Sequence, residues 1–207
     1  MSGKIIVFEG FEGTGKTTIA KKLLKYLKNN NKKAILLREP GGTKISEKIR
    51  RILLDCKNKN IDKKTELLLY LASRAQLISE KIKFLLKQNY LIILDRFYLA
   101  TYVYQGYVRA LNIKLIKTIN DFVIEGIKPD ITILLSASLK ISFQRIKKRK
   151  IANRIDKEKL DFHKKVRDGY LKEYKRIKNC FLINTDDKTI DDVFLETLKI
   201  LKNKNLL

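Results

Sequence analysis

Gly10-Phe11-Glu12-Gly13-Thr14-Gly15-Lys16-Thr17 follows the apolar run Ile5-Ile6-Val7-Phe8 and opens an amphipathic stretch over 17–29. It matches G-x-x-x-x-G-K-[ST], a loop whose glycines curl the backbone so that several N–H groups point inward at phosphate oxygens. A helix N-terminus directly behind it adds about half a positive charge at the same place. Lys16 is then expected to reach the β- and γ-phosphates of a bound nucleotide, and the Thr17 hydroxyl to ligate Mg²⁺. The bland alternative, a Gly-rich turn with an incidental lysine, fits poorly with a strand, a loop and a helix in this order. Of the nine glycines, six are Gly10, Gly13, Gly15, Gly41, Gly42 and Gly106, gathered in segments just past apolar runs. Such concentration points to backbone approach to a ligand.

Further short apolar runs are Ala34-Ile35-Leu36-Leu37, Leu91-Ile92-Ile93-Leu94, Ile131-Thr132-Ile133-Leu134-Leu135 and Phe181-Leu182-Ile183. Each is β-branched and apolar on both faces, as buried parallel strands are. Between them 17–29, 65–87, 112–125, 139–148, 159–176 and 189–202 carry apolar residues at helical spacing. Alternating strand and helix predicts a three-layer α/β fold with a five-stranded parallel sheet flanked by helices. No linker or repeat divides the chain, and 207 residues suit a single domain, 1–207. Ligands are expected beyond the carboxyl ends of the strands.

Composition narrows the classes. No apolar run reaches the length of a membrane-spanning helix, and the N-terminal residues lack secretory-signal features. Cys56 and Cys180 have no metal-ligand spacing and read as reduced, half-buried thiols of a cytoplasmic protein. The formal net charge is +24, from 46 Lys plus Arg against 22 Asp plus Glu. That field would attract nucleic acid. However, 35 of the 46 are lysines scattered among Ile and Asn, with no aromatic-interleaved basic ribbon, so solvated lysines are the preferred reading and nucleic acid is not expected as a partner.

The phosphate loop alone leaves kinases, GTPases and motor or partitioning ATPases open. The guanine-reading N-K-x-D is missing, since Asn184-Thr185-Asp186-Asp187 lacks the lysine. After the second run, Arg38-Glu39-Pro40-Gly41-Gly42-Thr43 reads as a tight turn at a binding face, against a plain turn with a surface ion pair. After the third comes Asp95-Arg96-Phe97-Tyr98-Leu99-Ala100-Thr101-Tyr102-Val103-Tyr104-Gln105-Gly106. Asp95, opposite the phosphate loop, is placed to orient Mg²⁺ or its waters, and Arg96 to bridge two phosphates.

Together, 9–18, 38–43 and 95–106, with Leu68-Leu69-Tyr70-Leu71-Ala72-Ser73-Arg74 and Pro129-Asp130-Ile131-Thr132, resemble the thymidylate kinase family over nearly the whole chain. The resemblance implies that ATP phosphates sit on 10–17 and dTMP is the acceptor, giving dTDP in dTTP synthesis. It implies that Tyr70 stacks on the thymine and Arg74 hydrogen-bonds the base, with Thr101 and Gln105 completing its polar contacts. Tyr104 would close on the sugar and disfavour a 2′-hydroxyl. Glu12 would lie near the 3′-hydroxyl, while Arg38, Glu39, Arg50 and Arg96 surround the acceptor phosphate and its metal. A homodimer also follows from the resemblance. Alone, Tyr70 would read as a core aromatic; Arg74, one helical turn later, favours the binding role.

Phe97, Ala100 and Val103 depart from the family pattern, and Val103 is expected to add bulk beside the substrate segment. The basic stretch 144–154 occupies the place of a lid, about 145–158. Gly13 stands where one branch of the family carries Arg, which resembles the branch with a transition-state arginine in the lid; Arg154 is the first choice, with Arg149 behind it. His163 reads as a surface or partly buried structural residue. The alternatives are a kinase of another nucleotide or deoxynucleoside, or a nucleic-acid-bound ATPase.

Overall fold

The computed structural model describes residues 3–148 and 153–207. In chain order it holds β1 (Lys4–Glu9), α1 (Lys16–Asn29), β2 (Ala34–Arg38), α2 (Lys44–Leu54), α3 (Lys63–Leu77), α4 (Lys83–Lys87) and β3 (Leu91–Asp95). There follow α5 (Tyr98–Thr101), α6 (Ile113–Ile124), β4 (Ile131–Ser136), α7 (Leu139–Lys147), α8 (Leu160–Tyr174), β5 (Cys180–Asn184) and α9 (Ile190–Asn203). Ile78–Ile82 and Tyr102–Val108 are π-helical, continuing α3 and α5.

The strands form one parallel sheet in the order β2-β3-β1-β4-β5. Side chains alternate across a strand, and β1 feeds both layers. Ile6 and Phe8 pack on Ile19, Leu23 and Leu27 of α1 and on Val193, Phe194 and Leu201 of α9. Ile5 and Val7 face the other way, onto Leu77, Ile78, Ile82 and Leu85, with Ile124 of α6. Two apolar faces on each inner strand therefore require helices on both sides, which is the expected three-layer architecture.

The sequence reading missed three features. The helix α2 starts where Thr43 caps it, its hydroxyl accepting from the Ser46 N–H at 3.1 Å. Residues 98–108, to which the helical spacing assigned no element, are helical. The stretch 65–87 is not one regular helix, because a π-helical turn interrupts it at Ile78. Among the described residues, no helix is long and apolar enough to cross a membrane. Cys56 and Cys180 are both half-buried, as expected, and form no disulfide with each other.

Candidate active site

Chemistry-bearing residues gather where the strands end: Glu9 closes β1, Arg38 β2 and Asp95 β3. The phosphate loop rises from β1 between two recesses. One is lined by Glu12, Lys16, Thr17, Arg38, Glu39, Arg50, Tyr70, Arg74, Asp95, Arg96, Thr101, Tyr104 and Gln105, among others. The other is lined by Gly13, Thr14, Gly15, Thr18, Ile19, Arg145, Thr185, Lys188, Thr189, Ile190 and Val193.

The loop is closely fitted. At Gly13, with φ 76°, an added Cβ would meet the Ser142 carbonyl oxygen at 2.5 Å, so no side chain fits without moving α7. Gly15 stands at the N-cap of α1 with φ 93° and no side-chain cap, leaving first-turn N–H groups for an anion. Lys16 Nζ donates to the Phe11 carbonyl at 2.6 Å. Burial, helped by the charge of Arg96, lowers its pKa to about 7 despite Asp95, Glu12 and Glu9. The Thr17 hydroxyl donates to Asp95 Oδ2. A hydroxyl and a carboxylate side by side beneath the loop are the hard oxygen donors that Mg²⁺ takes.

Arg96 anchors the acceptor side from a left-handed backbone, φ 72°, uncommon for a residue with a Cβ and costing about 1–2 kcal/mol. Several bonds hold it there. Its N–H donates to the Phe8 carbonyl at 2.9 Å, Nη1 to the Gly10 carbonyl and the Tyr170 hydroxyl, and Nη2 to Glu12 Oε1 at 2.7 Å. The Tyr104 hydroxyl donates to the same carboxylate, 2.7 Å from Oε1 and 2.8 Å from Oε2. Burial opposes the charge on Glu12, but Arg96, Lys16 and Tyr104 hold its carboxyl below the ordinary range. Underneath, Glu9 is fully buried and accepts from the Phe97 and Ala100 N–H groups and from Tyr170. Burial raises Glu9, outweighing Arg96.

Arg74 lies on the same wall, 2% exposed. It donates to Glu39 Oε2, Asn120 Oδ1 and Thr101 Oγ1 at 2.8, 2.8 and 3.0 Å, above the face of Phe97. Tyr70, one turn earlier on α3, joins it in the cleft, and burial with Glu66 pushes its hydroxyl up to about 12. Arg50 donates to the Pro40 carbonyl at 2.8 Å across a cis Glu39–Pro40 bond, and Arg38 pairs with Glu47 at 3.0 Å.

The structure departs from the sequence reading at several positions. Arg154 Nε donates to the Leu53 carbonyl and its Nη2 to Glu66 Oε2 at 2.5 Å, which ties it to α2 and α3 rather than aiming it over the phosphate loop. Arg149 lies outside the described residues. Val103 is buried against Gly169 in the core beneath α8 and does not line the cleft. His163 is fully buried, ringed by Phe11, Phe143 and Phe162, instead of surface or partly buried.

Other site residues were missed. Arg145, which the sequence places in the lid segment without a role of its own, donates to the Thr185 hydroxyl at 2.9 Å and carbonyl at 2.7 Å, and to the Gly13 carbonyl at 3.4 Å. The rule that ligands gather at strand ends could have found Thr185, the residue after β5. Glu66, Asn153 and Ile155 carried no local signal.

A family model described as thymidylate kinase matches residues 8–196. The chain is 44% identical over 202 residues to thymidylate kinase of Thermoanaerobacter sp. (strain X514), covering 98% of each chain. It is 45% identical over 197 residues to that of Thermosipho africanus (strain TCF52B), covering 95% of this chain and 96% of the other. The crystal structure of thymidylate kinase from Ehrlichia chaffeensis superposes with a TM-score of 0.78 at 32% identity, over 98% of this chain and 99% of that one. A phosphate loop between two recesses, on a sheet of this order and with this likeness along its length, places the chain in the thymidylate kinase family.

Proposed function

We propose that this enzyme transfers the γ-phosphoryl group of ATP to dTMP, giving ADP and dTDP, with the acceptor in the Arg74 cleft and the donor base beside Arg145. The observation that carries the reading is the position of the phosphate loop between the two recesses. A donor base in one and an acceptor nucleotide in the other would meet through their phosphates over Lys16.

The acceptor oxygen is already anionic, so no strong base is needed; alignment and charge neutralisation carry the rate. Triphosphate oxygens beside Lys16 restore its positive charge. Arg96, fixed by Gly10, Glu12 and Tyr170, supplies a rigid cation between the phosphates. Thr17 and Asp95 would hold Mg²⁺, which when bound neutralises phosphate charge and orients phosphate oxygens. Arg145, its guanidinium pinned by Thr185, offers a flat cation to a purine ring. Arg154 works from the acceptor side, through Glu66. The segment about 145–158 forms the lid, and residues 1–207 act as one domain.

We also propose a cytoplasmic homodimer. Support comes from Phe122 and Leu115 of α6 and Leu68 of α3, exposed apolar side chains on two helices that pack together. Sedimentation of the wild type against Phe122→Asp tests this point.

A coupled assay across dTMP, dUMP, dCMP, dGMP and AMP tests the activity. A strong preference for dTMP is expected; equal or better turnover of AMP or dGMP would remove the reading.

A further inference from the structure

Beneath the acceptor cleft lies a buried carboxylate that the reaction itself does not use. Glu66, on the first turn of α3, is 1% exposed. Its Oε1 accepts from Gln105 Nε2 at 2.9 Å and Arg109 Nε at 3.2 Å, and its Oε2 from Arg154 Nη2 at 2.5 Å. Burial disfavours its charge, yet the bonds from Arg154 and Gln105 and the charge of Arg109 hold its carboxyl below the ordinary range. Glu66 is therefore ionised, and an ionised carboxylate only accepts hydrogen bonds. The two ends of the Gln105 amide differ in one respect that matters here: only the NH₂ end can satisfy such a neighbour. The oxygen end then points away from Glu66, and Gln105, 2% exposed, lines the cleft.

We propose that Glu66 is a positioning residue for base choice: it locks the Gln105 amide with its carbonyl oxygen toward the acceptor base, selecting pyrimidines that carry an N3–H donor. Thymine and uracil have that donor, whereas cytosine presents a bare N3 lone pair that meets the amide oxygen repulsively. Sites built around a buried hydrogen bond reject a mismatched analogue far more strongly than apolar pockets do. The inference rests on the reading that Gln105 meets the base. Arg74, which only donates, would add an independent preference for a ring carbonyl over an amino group where it meets the base edge.

Glu66→Gln is the direct test, because a glutamine there both donates and accepts and lets the Gln105 amide turn over. The kcat/KM ratio of dTMP to dCMP should fall at least about tenfold, the worth of one buried hydrogen bond. The ratio of dTMP to dUMP should stay within about twofold, since both bases carry N3–H. A merely structural role would lower all three substrates together and leave both ratios unchanged, which overturns the proposal. Arg109→Ala, which removes a cation but keeps the carboxylate, should preserve both ratios. Gln105→Met separates the layers of the argument. If it leaves the dTMP to dCMP ratio intact, Gln105 does not meet the base and the underlying reading fails. If it collapses the ratio while a folded Glu66→Gln does not, the role given to Glu66 is wrong. Should Glu66→Gln fail to fold, ¹⁵N-glutamine labelling of the wild type reads the same point, with Gln105→Met as the assignment control. The Gln105 NH₂ signals should be protected from exchange and move little on adding dTMP; a large shift, marking an NH₂ turned to the base, overturns the proposal.

Discussion

Arg74 Nε lies 2.8 Å from Glu39 Oε2, with both side chains buried, while Glu39 Oε1 has no hydrogen-bond partner among the described residues. The pair is half of an arrangement that a ligand donor could complete, and its loss is costly. Arg74→Ala strips partners from Glu39, Asn120 and Thr101 together, and breaking a buried pair costs about 3–5 kcal/mol. The variant should melt several degrees lower and bind dTMP far more weakly than ATP. Arg74→Lys should recover little, because an ammonium cannot span three acceptors in one plane. Equal losses for both nucleotides, by calorimetry on folded protein, would take Arg74 out of the acceptor pocket.

What the sequence made legible is what local spacing encodes. The strands were read to within a residue or two, since β-branched runs apolar on both faces have few other uses. The phosphate loop was legible because its glycines have no cheap substitute, as the Ser142 carbonyl against Gly13 illustrates. Glu66, Arg145 and Asn153 were not legible, since each gets its role from a partner far along the chain. Glu66 meets Gln105 and Arg154 at separations of 39 and 88 residues. Val103 was misplaced for a related reason: in the π-helical Tyr102–Val108 segment its direction follows from packing on α8, not from periodicity.

Lys16 should link nucleotide binding to protons. Its folded pKa of about 7 lies below the ordinary 10.5, so the unfolded chain binds more protons between those values. Stability from this group therefore rises with pH across that window and is lowest below about 7, where a charged lysine is buried. Phosphate oxygens favour the charged form, so ATP binding slightly above pH 7 should take up protons. Calorimetry in two buffers of different ionisation enthalpy measures the uptake. Lys16→Met should abolish it, and should abolish transfer while keeping the fold.

Tyr104 should govern sugar choice through its ring and Glu12 through its hydroxyl. Tyr104→Phe keeps the ring but removes a donor from Glu12, which retains Arg96; a stability loss of about 1–2 kcal/mol is expected, with little change in sugar choice. Tyr104→Ala opens the space and should relax discrimination against ribonucleotides. Comparing kcat/KM for dUMP and UMP in both variants decides it: unchanged selectivity in Tyr104→Ala would place the sugar elsewhere.

Arg154 offers the sharpest contrast between sequence expectation and structure. A transition-state arginine would lower kcat and kcat/KM together and leave KM alone. Bonded to Glu66 and to the Leu53 carbonyl, Arg154 is instead placed to support the acceptor cleft, whose lining includes its neighbours Asn153 and Ile155. Arg154→Ala should therefore raise KM for dTMP more than it lowers kcat, with the KM for ATP nearly unchanged. Glu66 keeps Arg109, at 3.2 Å, and Gln105 in the variant, so selectivity for dTMP over dCMP should persist. The loss of one charge-assisted bond puts the expected dTMP effect at about 1.5–3 kcal/mol, roughly ten- to a hundredfold. Arg154→Lys should rescue part of it, because a single charge can still reach Glu66 even though the fork to Leu53 is gone. Steady-state kinetics beside dissociation constants for both nucleotides separates the cases. A hundredfold fall in kcat with normal dTMP binding would return Arg154 to the transferring phosphoryl group, with the Glu66 pair as its resting place.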